Sequence, residues 1–147
     1  MLGRKDYTPQ ELDAATTAVG ETLAAYRTLV DAIHRATDDP AVAAALDAFE
    51  PRLFNELTLA LDRRFVHRLR VVTGKDGNPL NEVELMTESL MNNDGVMRGN
   101  KVIKLKPEET VLNIEPGDRI ALSAAQFERL SDAFLAEIAS RFVFAPV

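Results

Sequence analysis

The sequence has no cysteine, only two histidines and no apolar run long enough to cross a membrane. The first absence removes disulfides, thiolate metal ligands and thiol nucleophiles together, and fits a reducing compartment. The second leaves His34 and His67 as the only imidazoles. Neither stands in a His-x-x-x-His or Glu-x-x-His pair that puts two ligands on one helix face, so no metal or cofactor is expected. The third, with a start ("MLGRKDYTPQEL") that lacks the apolar core of a signal peptide, predicts a soluble cytoplasmic chain with no membrane partner. Gly-x-x-x-x-Gly-Lys-Ser/Thr and Gly-x-Ser-x-Gly are missing as well. A P-loop and a nucleophile elbow therefore have no sequence support, and catalytic residues are unknown at this level.

What is present suits one compact domain, residues 1–147, able to bury about two thirds of its unfolded surface. The net charge of −6 argues against a general nucleic-acid binder. Its distribution is uneven: residues 63–75 carry Arg63, Arg64, Arg68, Arg70 and Lys75 with no acid, inside "RRFVHRLR" and the loop after it.

The helices are marked by their ends. Thr8-Pro9-Gln10-Glu11 is a capping box with proline in the first turn, and Leu12, Val19, Tyr26 and Ile33 then recur every seven residues. Asp39-Pro40 starts a second helix, in which Pro51 must produce a kink or a new segment. From Leu53 the apolar stripe is wide, as in a central helix, and Gly74 is a C-cap candidate. Asn78-Pro79 opens a helix to about Asn92, and Ser123-Ala124-Ala125-Gln126 caps the last one. Short alternating segments around Gly99-Asn100 and Pro116-Gly117 lie between them, with Gly-Asn suited to a hairpin and Pro-Gly to a type II turn. The fold class that follows is mainly α: a three- to four-helix bundle-like domain with a small irregular β element near residues 96–122.

If the helix runs on to Gly74, Arg63, His67 and Arg70 form one exposed line, with Arg64 and Arg68 beside it. One meaning is a helix end matched to its dipole; the other is an anion site. The anion-binding candidates are Arg63, Arg64, His67 and Arg70, joined by Arg98 and Lys101 if the second basic run, 98–106, meets the first. Asp62 falls on the apolar side of the same helix, a possible buried acid that is either salt-bridged or a general base. "GKDGN" reads as a turn held by Asp76 and Asn78 rather than a phosphate loop.

At "DRRFVHRLR" with "TGKDGNPLNEVELM", and again at "GDRIALSAAQFERL", the chain resembles a group of small, chiefly actinobacterial proteins with no assigned function. The resemblance implies one compact cytoplasmic domain and carries over no reaction, ligand or catalytic residue. The residues themselves suggest a helical binding or interaction protein, with an acidic ligand or protein as one partner. The seam of the first helix suggests a homo-oligomer, although an intramolecular bundle uses the same pattern. The alternatives are a small enzyme acting on an anionic substrate, and a regulator contacting nucleic-acid backbone through the two basic runs.

Overall fold

A computed structural model describes residues 3–144. Four long helices, α1 (Pro9–Ala36), α2 (Pro40–Arg64), α4 (Pro79–Asn92) and α5 (Ala124–Phe142), share one hydrophobic core, with a single-turn α3 (Arg70–Thr73) between α2 and α4. Both capping boxes form: Thr8 with Glu11 opens α1, and Ser123 with Gln126 opens α5. Asp39 and Asn78 accept the first free amides of α2 and α4, each ahead of a proline that has no amide to satisfy. Pro51 does not start a new segment; α2 runs through it as one helix.

The α1 seam is spent inside the chain. Leu23 and Tyr26 are buried, with Leu12, Val19 and Val30 packed against the same core, and the helix lies on α2 and α5. Its periodicity therefore gives no separate ground for an oligomer. Tyr26 stacks edge-on against Phe54 at 4.9 Å between ring centroids, and its hydroxyl donates to Glu50. The other Glu50 oxygen accepts the Ala124 amide, which joins α1, α2 and the start of α5.

The β content near 96–122 is smaller than alternation suggests: one antiparallel bridge, Val96 with Arg119, is all that forms there. Gly99-Asn100 does not make a hairpin, because Asn100 Oδ1 accepts the amides of Val102 and Ile103 and turns the chain along α4 instead. Pro116-Gly117 does make the expected turn. Asp118 N donates to the Glu115 carbonyl at 3.0 Å, with Gly117 at φ 96° in the position that requires a positive value. The whole segment wraps α4, so that helix is enclosed on most of its circumference, polar residues included.

Glu82 shows how. It is 2 % exposed, and its carboxylate accepts the Val111 and Leu112 amides at 2.9 and 3.0 Å. Burial pushes its pKa up, against the opposing pull of those two donors and of Arg129.

Candidate functional site

The helix carrying the basic stretch stops early. α2 ends at Arg64, Phe65 N bonds back to the Asp62 carbonyl, and His67 adopts a left-handed φ of 58°. The cause lies far away in sequence. Residues 3–7 strap this turn: Arg4 N donates to the His67 carbonyl, Leu69 N donates to the Arg4 carbonyl, and Tyr7 Oη donates to the Val66 carbonyl. Phe65 is fully buried against Tyr7 and Phe134. Burying it closes the helix and disperses the expected line of Arg63, His67 and Arg70. Gly74 is a C-cap as expected, but of α3 rather than of a longer α2.

Arg68 turns inward, its side chain only 6 % exposed, with its guanidinium 5.2 Å from the centre of the Phe134 ring. It donates to the carbonyls of Phe65 and Leu80 and to Asp62 Oδ1, the last at 3.0 Å. This accounts for the acid on the apolar side of α2. Asp62 is half-buried rather than buried, at 23 % side-chain exposure, and is the counter-ion of Arg68. Arg70 is engaged as well: it grips both Glu84 oxygens and donates to Asn81 Oδ1 and the Gly74 carbonyl. "GKDGN" is the turn its composition suggests, closed by Asn78 Nδ2 to Asp76 and Asn81 Nδ2 to the Asp76 carbonyl.

Three hollows run into one another between α2 and α4. One, about 290 Å³, lies over Asn55, Leu59, Leu90 and Met91. The next, about 540 Å³, shares Leu59 and Met91 and adds Ala60, Arg63, Val66 and Thr87. The third, about 250 Å³, shares Val66 and Asp62 and ends at His67, Arg68 and Glu84. Together they make an open trough of roughly 20 Å at about 1.5 Å per residue of α2. Met91 in its wall is 65 % exposed. Among the described residues, the buried polar side-chain atoms with no hydrogen-bond partner are Arg68 Nε and Thr87 Oγ1, and both residues line this trough.

The trough collects Asp62, Arg63 and His67 from the sequence candidates and leaves out the others. Arg64 lines a separate small cavity between α1, α2 and α5. Arg98 and Lys101 are exposed beside the last turns of α4, where Arg98 reaches Asn93 at 3.4 Å. The second basic run does return to the first at one point, through Lys104 N on the Lys75 carbonyl, but it contributes nothing to the hollows that Arg63 and His67 line. Leu59, Val66 and Met91 matter here and had no signal in the sequence beyond ordinary apolar helix positions. Among the described residues no group of three or more His, Asp or Glu side chains is arranged to hold a metal ion, and no helix is long and apolar enough to cross a membrane.

No family model, curated protein or solved structure matches this chain.

Proposed function

We propose that this chain is a non-catalytic interaction protein that works through the α2–α4 trough. The observation that carries this reading is the trough itself: long, open and lined by Leu59, Val66 and Met91. A site for a small substrate is typically enclosed, whereas a long open groove with apolar anchors suits a helix laid along it. The groups best suited to chemistry also favour binding over catalysis, because Asp62 is committed to Arg68 and Arg70 to Glu84.

An anilinonaphthalene sulfonate dye tests the surface. At low protein concentration it is expected to bind with a blue-shifted emission that Leu59→Glu with Met91→Lys abolishes while the helical circular dichroism is kept. Equal dye binding by the double variant contradicts the reading.

A second reading is favoured by one placement: His67, Asp62 and Arg68 share the hollow at the trough's end, with Arg63 in the adjoining one. There an anionic ligand meets Arg63 and His67, and a small enzyme on such a substrate would use Asp62 or His67 to move a proton. Inorganic phosphate should then shift the His67 ring resonances saturably and not in Arg63→Ala. Unmoved resonances dismiss this second reading.

A further inference from the structure

The outer face of α2 beside the trough carries one acid–base pair, Glu56 and Arg63, that is its own complement. Glu56 and Arg63 are separated by two helical turns and stand on one line of α2. Both are exposed, and neither side chain has a hydrogen-bonding or ion-pairing partner among the described residues. Ala60 lies between them on the outermost line of the helix, since it borders the α1–α2 cavity on one side and the trough on the other. Leu59 and the exposed Met91 flank it.

We infer that this face binds a second copy of the same chain, with the two α2 helices antiparallel about a two-fold axis that passes between residues 59 and 60. This rests on the trough being an interaction surface, and it supplies the occupant. An interface built from the same patch on both copies must satisfy each charge from within that patch. With the axis in this place, Glu56 of each copy faces Arg63 of the other, twice by symmetry, and Leu59 faces Ala60. The methyl of Ala60 lets the helix axes approach to roughly 8 Å, as small residues at a contact do. Leu59 and Met91 of one copy then cover the apolar strip of the other. An unrelated helix would have to bring the matching acid and base at this same spacing, whereas a second copy brings them by construction.

The test uses the full chain, with mass measured by sedimentation equilibrium over a wide concentration range. The wild type is expected to show a monomer–dimer equilibrium with a dissociation constant of roughly micromolar order. Glu56→Arg places two cations opposite two cations, and Arg63→Glu two acids opposite two acids. Each is expected to weaken association roughly tenfold or more, because attraction becomes repulsion at both symmetry-related contacts. An equal mixture of the two variants is expected to dimerise at least as tightly as the wild type, since at positions 56 and 63 one copy then offers only cations and the other only acids. Wild type that stays monomeric overturns the inference, as does a dimer indifferent to both substitutions or a mixture no heavier than its components. A monomer whose trough still binds the dye removes the second copy as occupant and leaves the trough reading standing. A monomer whose dye binding survives Leu59→Glu with Met91→Lys removes both.

Discussion

Arg68→Ala should lower the stability of this protein by about 3 kcal/mol, visible as a large fall in the urea midpoint with an unchanged denaturant slope. The guanidinium holds two backbone carbonyls, Phe65 and Leu80, and one carboxylate, Asp62. Truncation strips acceptors that have little access to water, and it empties the space above Phe134. Arg68→Met keeps the stem over that ring and should cost less, about 2 kcal/mol, so the difference between the two variants measures the packing part. Asp62→Asn should cost less again, because an amide oxygen remains for Arg68 and the position is partly open to solvent. Were Asp62 a general base instead, its substitution would leave stability alone. The size of the Asp62→Asn cost, measurable or nil, therefore separates a structural acid from a catalytic one.

Glu82→Ala should cost about 2 kcal/mol by leaving the Val111 and Leu112 amides without their acceptor, and those two amides should lose hydrogen-exchange protection ahead of the core. Its pH dependence carries a sign. The folded pKa of Glu82 is raised, first by burial, so the folded state holds the proton more tightly than the unfolded chain. Its contribution is fully present below the ordinary value of 4.5 and falls as pH rises through the raised value. The cost of Glu82→Ala should accordingly be larger in mild acid than at neutral pH. A cost that grows toward neutral pH would mean that the two amides outweigh burial.

These residues also mark where the sequence is legible and where it is not. Thr8 with Glu11, Asp39, Asn78 and Ser123 with Gln126 act on amides two or three residues away, so each announces its helix from the local sequence. The turn at Asp76 and Asn78 is local in the same sense. The end of α2 is not. Phe65, Val66 and Leu69 continue the helical period, and only the strap formed by residues 3–7, some sixty positions earlier, stops it at Arg64. Periodicity consequently placed Arg68 and Arg70 on a solvent face, whereas one is buried on Phe134 and the other is clamped to Glu84. Glu82 is invisible for the same reason, since its partners lie about thirty residues ahead, where the chain forms neither helix nor strand. The trough was half legible: the line of Glu56 and Arg63 can be drawn from spacing alone, but the open side of α2 emerges only once α1, α4 and α5 are seen to occupy the others.

The absence of cysteine makes the outer face of α2 directly addressable. Ala60→Cys places a single thiol beside the proposed two-fold axis, within the short Cα separation that a disulfide requires. Under mild oxidation at micromolar protein, the account predicts rapid conversion to a disulfide-linked dimer. Adding Arg63→Glu should slow that conversion, and an exposed control thiol from Ala14→Cys on α1 should cross-link far less. Cross-linking at Ala60→Cys no faster than at the control would contradict the claim that two copies meet on this face.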